Sequence, residues 1–328
     1  MLSVICPIYN EEKYINKFLN SILKQDYPKE DMEILLVDGM STDHTRSIIS
    51  KYILQYPYIR LIDNPDKIVP CALNLGIEEA QGDIIMRLDA HASYQPNYFS
   101  VLVNGLKRLK SDNVGTACKT DVLNKTPKTL AIREVLSNRF GVGNSIFRTG
   151  IDKEQEVDTV PFGCWPKHVF VKYGKFDPRL VRNQDIEFNK RIKRRGGHIL
   201  ILPGSFCTYW ARETYHELAV NNYNNGKWNI LTVYYTKRIS SLSVRHFIPL
   251  FFLISLIIPL MVGLVWWSTV FVSAISFVFY LGVISVVSVN LALVKHLNFF
   301  YIVITFLVLH ISYGYGSLVG LLKLPFVK

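Results

Sequence analysis

No charged residue occurs between Phe247 and Val294, and a second apolar run follows from Leu297 to Leu322. A helix needs about 20 such residues to cross a bilayer, so the first run predicts two spans and the second a third. Trp266-Trp267-Ser268-Thr269 reads as an interfacial turn between the first two, since tryptophan favours the membrane–water boundary. Gly316-x-x-x-Gly320 would allow close helix contact in the third. Mean hydropathy is +0.19 and 49% of residues are hydrophobic. That excess is concentrated at this end. A membrane part over 247–328 is therefore expected, preceded by something of a different kind.

Charge supports the division. The net charge is +11, and the last acidic residue is Glu217. Lys190, Arg191, Lys193, Arg194, Arg195, Lys237, Arg238 and Arg245 crowd the stretch before the spans. Positive charge beside a span favours the cytoplasmic side and attracts anionic headgroups. Nucleic acid is not an expected partner, because the charge gathers near the spans and no nucleic-acid motif is present. Lys295 and His296 fit the inside, whereas Lys323 and Lys328 would lie outside after three spans. Leu2–Cys6 reads as a first strand with no basic region or apolar core before it. Residues up to about 240 are thus expected in the cytoplasm, at an inner (cytoplasmic) membrane that the chain crosses several times. Five cysteines without C-x-x-C spacing read as reduced thiols rather than a zinc site or disulfides.

The amino-terminal part alternates strands and helices. Strands are predicted at 3–6, 33–37, 59–63 and 83–88. Helices are predicted at 11–23, 43–54 with Ser41 or Thr42 as cap, and 70–80. Such alternation predicts an α/β fold with a mostly parallel sheet. In these sheets ligands sit beyond the carboxyl ends of the strands. Those ends carry Pro7-Ile8-Tyr9-Asn10-Glu11, Asp38-Gly39 and Leu88-Asp89-Ala90-His91. No G-x-G-x-x-G, P-loop or G-x-S-x-G is present, which argues against dinucleotide, P-loop and serine-hydrolase chemistry.

Five segments then occur in order: SVICPIYNEEKYINKFLNSILKQDYP, ILLVDGMSTDHTRSII, ALNLGIEEAQGDIIMRLDAH, FGCWPKHVF and LVRNQDIEFNKRIKRRGGHI. Over about residues 2–210 the chain resembles the family 2 glycosyltransferases with a GT-A fold. VDGMSTD, RLDAH, VGNSIFRTG and VRNQD are similar to its ExoA-type, succinoglycan-biosynthesis branch. The resemblance implies a catalytic domain over 1–210, followed by an amphipathic juxtamembrane segment over 211–246.

It also implies roles. Pro7, Tyr9 and Glu11 line the nucleotide pocket, and Asp38 accepts a hydrogen bond from uracil. Asn74 and Gly76 lie near base and ribose, and Arg87 helps to hold the donor. The family's D-x-D is Asp89-Ala90-His91 here, so Asp89 faces the donor and a divalent ion, Mn²⁺ or Mg²⁺, and His91 either takes a ligand position on that ion or hydrogen-bonds the diphosphate. Imidazole suits Mn²⁺ better than hard Mg²⁺. Asp185 is the expected general base on the acceptor hydroxyl, with Gln184 in place of the usual glutamate beside it. Gly163 and Trp165 belong to the loop beside the acceptor. Asn224-Asn225-Gly226-Lys227-Trp228 stands where processive members carry Q-x-x-R-W, which disfavours a polymer-extruding synthase.

The resemblance therefore implies an inverting, metal-dependent transfer of a sugar, glucose or a relative, from a UDP-sugar. The acceptor would be a polyprenyl-diphosphate-linked saccharide in exopolysaccharide or envelope-glycan assembly. Transfer to polyprenyl phosphate or another lipid is the alternative, as is a catalytically silent sugar-nucleotide-binding membrane protein.

Overall fold

A computed structural model describes residues 1–143 and 146–327, so Asn144 and Ser145 of VGNSIFRTG and the terminal Lys328 lie outside the described residues. The chain forms two compact units. One is Met1–Lys119 with Ile146–Trp210, and the other is Thr120–Ser145 with Ala211–Lys328. The segment from 120 to 145, inside the range expected for the catalytic domain, thus packs with the carboxyl-terminal helices.

The first unit opens with β1 (Leu2–Ile8), α1 (Ile15–Leu23), β2 (Met32–Asp38), α2 (Thr45–Ile53), β3 (Ile59–Asp63), α3 (Val69–Glu79) and β4 (Ile84–Arg87). It continues with β5 (Ala92–Tyr94), α4 (Tyr98–Leu109) and β6 (Asn113–Asp121). Past the segment that joins the other unit come α7 (Ile146–Thr149), β7 (Gln155–Glu156), β8 (Cys164–Pro166), α8 (His168–Tyr173), α9 (Gln184–Arg194) and β9 (Ile199–Trp210). The second unit has α5 (Pro127–Ser137), α6 (Arg139–Val142), α10 (Tyr215–Thr236), α11 (Ile248–Val262), α12 (Val270–Lys295) and α13 (Phe299–Lys323).

Among the described residues, nine strands form one sheet in the order β3-β2-β1-β4-β8-β6-β9-β5, with β7 paired to β9. The first four are parallel, as the alternation predicts. Beyond β4 the sheet changes character: β8 pairs antiparallel with β4 and β6, and β5 antiparallel with β9. The sheet is therefore mixed, with a parallel core of four strands continued by antiparallel ones. Short strands such as Cys164–Pro166 are held by partners distant in sequence and carry no local pattern of their own.

Both faces of the parallel half are covered, so β2 is buried at every position. Ile15, Phe18, Leu19 and Ile22 of α1 pack on one face together with Phe99 and Leu102 of α4. Ala72, Leu73 and Ile77 of α3, with Phe170, Phe188 and Ile192, cover the other. Ile8 is level with Asp38, Asp38 with Asp63, and Ile5 with Arg87. This register brings the strand ends that carry the candidate residues to one edge.

Helix α2 starts later than predicted, with His44 in the cap position and no side-chain cap. Ser41 serves Asp38 and Asn10 instead of capping. Its hydroxyl donates to Asp38 Oδ1 at 2.5 Å and accepts from Asn10 N at 2.9 Å.

In the second unit, Val244–Val262, Trp267–Lys295 and Phe299–Phe326 are helices long and apolar enough to cross a membrane. They are not equally exposed. In their most apolar windows 11% of residues are buried in the first two, against 39% in the third.

Candidate active site

At the end of β4 the backbone turns sharply. Leu88 N donates to Ile5 O at 2.9 Å, and Arg87 N donates to Gly163 O at 3.0 Å. Tyr94 closes the turn from the other side: its hydroxyl accepts from Asp89 N at 2.8 Å. The phenol is buried, and burial pushes its pKa well up, so it stays protonated. Asp89 is thereby fixed by its own backbone before any side chain is considered.

Its carboxylate meets a fork. Arg87 Nε donates to Asp89 Oδ1 at 3.0 Å and Nη2 to Oδ2 at 3.2 Å, while Nη1 lies 3.8 Å from Asp185 Oδ2. Arg87 is buried at 8% side-chain exposure, whereas Asp89 and Asp185 keep 18% and 31%. Burial pushes the guanidinium pKa down, but the two carboxylates more than offset this and hold it above its ordinary value. The cation is permanent, and its planar fork matches the carboxylate. Nη1 makes no hydrogen bond. Asp185 stands in the first turn of α9, after Asn183 in a left-handed conformation (φ 62°). Its Oδ1 accepts from Ile186 N at 2.9 Å, and the helix amino terminus favours its negative charge.

His91 projects beside this pair. Its Nδ1 lies 3.1 Å from Glu11 Oε1 and its ring meets Tyr209 edge-on at 5.4 Å. With the proton on Nδ1, donated to Glu11, Nε2 is the ring nitrogen that carries the lone pair. Tyr9 is 49% exposed at the end of β1, against the turn at Gly39. Pro7 is half-buried in the last turn of that strand.

Asp38 is held differently. Its side chain is fully enclosed and accepts from Ser41 Oγ at 2.5 Å, Ser41 N at 3.0 Å and Arg46 Nη1 at 2.7 Å. A base N–H reaches this carboxylate only if Ser41 or Arg46 turns aside.

Five expected residues are held otherwise than anticipated. Asn74 spends its amide on the loop after α8, donating to Phe176 O at 2.8 Å and accepting from Phe176 N at 3.0 Å. Gly76 is buried in α3 where a Cβ would come within 2.5 Å of Ile5 Cγ2, so it serves helix–strand packing. Trp165 is 1% exposed among Phe170, Phe176 and Phe188, and presents no face to a sugar. Gly163 is required by the backbone, since at φ 108° a Cβ would meet the Trp165 ring and Asn113 Oδ1. Gln184 is buried at the start of α9, with Oε1 lacking a partner. Three contributors were not anticipated: Arg46, Ser41 and Tyr94. Only Arg46, in the first turn of α2 after Asp38, left a trace that pattern reading could have used.

Among the described residues, no group of three or more His, Cys, Asp or Glu side chains could hold an ion. A carboxylate offers about four lone-pair sites, and Arg87 occupies two of those on Asp89. Asp89 and His91 therefore fit an ion that takes most of its shell from a bound diphosphate, as Mg²⁺-type sites do, rather than one the protein holds alone.

A parallel αβ core continued by antiparallel strands in one mixed sheet is the GT-A type of fold. The glycosyl transferase family 2 model matches residues 3–173, and the chain belongs to that family. It is similar to a dolichyl N-acetyl-α-D-glucosaminyl phosphate 3-β-D-2,3-diacetamido-2,3-dideoxy-β-D-glucuronosyltransferase of Methanococcus voltae. The two are 28% identical over 222 residues, 65% of this chain and 68% of that protein. It is also 26% identical over 220 residues to the succinoglycan biosynthesis protein ExoA of Rhizobium meliloti, covering 64% of this chain and 63% of ExoA. Among solved structures, the mannosyltransferase PcManGT of Pyrobaculum calidifontis, in complex with GDP-Man and Mn²⁺, shares the fold. The match has a TM-score of 0.62 at 16% identity and covers 98% of this chain and 87% of that one.

Proposed function

We propose that the chain is an inverting hexosyltransferase that moves a sugar, glucose or a relative, from a UDP-sugar to a polyprenyl-diphosphate-linked saccharide. It would act at the cytoplasmic face of the inner membrane, in exopolysaccharide or envelope-glycan assembly. The observation that carries the reading is the Arg87 fork, which bonds the donor-side Asp89 at 3.0 Å and lies 3.8 Å from Asp185. Family membership supports transfer chemistry, and the lipid-phosphate saccharide in the name of the Methanococcus relative supports this acceptor class.

Asp185 accepts the proton as the acceptor hydroxyl attacks the anomeric carbon, and a single displacement from behind inverts the configuration. Arg87 faces Asp185 across 3.8 Å and places a fixed positive charge beside it. A hydroxyl that reached the buried Gln184 Oε1 would satisfy an acceptor that now lacks a donor, at a saving in free energy. Tyr9 offers its exposed ring to the base, and Asp38 waits behind Ser41 for a base N–H. A divalent ion held by Asp89 and His91 together with the diphosphate would supply charge neutralisation at the leaving group.

The test is turnover by purified, detergent-solubilised protein with a panel of UDP- and GDP-sugars, lipid extract, and Mn²⁺ or Mg²⁺. Release of one nucleotide, dependent on lipid and ion and lost in Asp185→Asn, is expected. Donor hydrolysis or transfer unaffected by that substitution would remove Asp185 from the mechanism. Transfer to polyprenyl phosphate alone would move the acceptor to the simpler lipid.

A further inference from the structure

Helix α13 is apolar enough to be a third membrane span, yet its partner is not. Helix α10 lies along it in parallel register from end to end. Tyr215 donates its hydroxyl to Tyr301 O at 3.3 Å near the start, and the rings of Tyr223 and Tyr315 lie 5.8 Å apart in the middle. At the far end Tyr234 donates to Val327 O at 3.2 Å. Glycines make the approach close. A Cβ at Gly226 would run into Tyr313 O, one at Gly316 into Tyr223 O, and one at Gly320 would lie 2.9 Å from Lys227 O. Asn229 donates to the Tyr313 hydroxyl and to His246 O. Two helices packed in this way must share one environment.

Helix α10 cannot share hydrocarbon. It carries His216, Glu217, Lys227 and five asparagines within Tyr215–Thr236, with Lys227 near its midpoint. If α13 crossed the bilayer, the asparagines beside Tyr223 would be carried near its middle and Lys227, level with Gly320, would lie inside the span, where amides and charge are disfavoured. The other flank of α13 is equally polar in origin. Ala131 and Val135 of α5 pack against Ile302, Phe306 and Leu309, and the same helix bears Arg133, paired to Asp121 and Glu134. His310, in the middle of α13, is bonded at 3.0 Å to the backbone carbonyl of Phe140 in α6.

Helices α11 and α12 also touch α13, through Pro249 and Leu253 at Gly314 and through Tyr280 at His310, but they carry no charged residue from Ile248 to Val294. They pack as an antiparallel hairpin, through Phe252 on Tyr280 and Ser273 on Leu256 O. Their tip, from Leu264 to Trp267, is exposed and uncharged.

We propose that α11 and α12 alone enter the bilayer, as a hairpin, and that α13 lies with α10 in the interface on the catalytic side. Both ends of α13 are then on one side. Arg245, Lys295 and Lys323 all fall on the cytoplasmic face, and the violation of charge bias that three spans would require disappears. This reading is independent of the reaction and stands or falls without it.

The experiment uses the full chain with one epitope tag before Met1 and another after Lys328, in sealed inverted vesicles treated with protease. Loss of both tags without detergent, with the protein retained in the membrane after alkaline carbonate washing, is the expected result. Survival of the carboxyl-terminal tag until detergent is added, while the amino-terminal tag is lost, would restore the third span and overturn the proposal. Release of the protein by carbonate would overturn insertion of the hairpin.

Discussion

Strands β2 and β4 flank β1; Asp38 ends the first and Asp89 follows the second, each facing an arginine, but the two pairs are inverted in burial. At β2 the acid is enclosed and Arg46, 36% exposed, covers it while also reaching Asp63 at 2.8 Å. At β4 the cation is enclosed and both acids stay partly open. An enclosed carboxylate with three donors is complete, and moving it would leave a buried charge unpaired. The buried guanidinium between two partly open carboxylates is ion-paired but leaves Nη1 without a hydrogen bond, and lone pairs on the acids still face the site. The β4 end can change partners during a reaction. The β2 end is built to stay as it is until something displaces Ser41 or Arg46.

The sharpest way to break this contrast is Asp185→Asn. Loss of a general base should lower kcat by about 10²–10⁴-fold. Donor affinity, read by calorimetry, should stay within about twofold, because the substitution keeps the shape and removes only the proton acceptor. Activity close to that of the parent chain would mean that the β4 end is not the reacting one.

Next in size is the stability contrast between Arg87→Met and Asp38→Asn. Removing Arg87 sets Asp89 and Asp185 against each other without a cation. A fully buried pair broken in this way costs about 3–5 kcal/mol, and partial exposure of the two acids brings the expectation to about 2–3 kcal/mol. Asp38→Asn keeps an acceptor for Ser41 and leaves Arg46 its bond to Asp63, so about 1–2 kcal/mol is expected. Thermal unfolding in detergent compares the two. The reverse order would show that the enclosed acid, not the enclosed base, is the strained element.

How far this edge could be read from sequence depended on what was local. Asp38, Asp89 and His91 follow apolar strands directly, and Asp185 opens a helix, so the β/α alternation alone puts three of them at strand ends. The inversion of burial was not legible, because it rests on Gly163 O holding Arg87 N and on Tyr94 clasping Asp89. Asn74 was misread for a related reason: its amide partner, Phe176, is 102 residues away. The antiparallel half of the sheet consists of strands too short for a pattern. Helix α10 lacks a clean apolar stripe, since Asn222, Asn229 and Thr232 are among the residues it buries. Its role as the partner of α13 emerges only from packing, while α11 and α12 were visible from hydropathy.

A smaller change sharpens the β4 side. In His91→Asp two carboxylates face the diphosphate, the ring contact with Tyr209 is lost, and Glu11 meets a like charge. Oxygen donors suit Mg²⁺ better than an imidazole does. The ratio of Mn²⁺- to Mg²⁺-supported activity should fall by about tenfold, the lower end of the effect expected when a metal site loses a positioned ligand. An unchanged ratio would mean that His91 does not contact the ion.

The smallest effect is expected one strand further along, at Trp165→Phe, and it marks where the reactive edge stops. Trp165 lies in β8, beside β4, with Ile85 opposite it in the ladder. Its indole Nε1 is buried without a hydrogen-bond partner. Phenylalanine would remove that unpaired donor, a gain, and leave a gap among Phe170, Phe176 and Phe188, a loss. The two oppose each other, so stability should change by no more than about 1 kcal/mol. Because the ring presents no face to an acceptor, kcat/KM for the lipid-linked substrate should stay within about twofold, less than 0.5 kcal/mol of transition-state binding. A selective rise in the acceptor KM would require the loop from Phe162 to Pro166 to open and expose the ring during turnover. Equal loss in kcat and stability would instead trace to Gly163, whose backbone the indole supports.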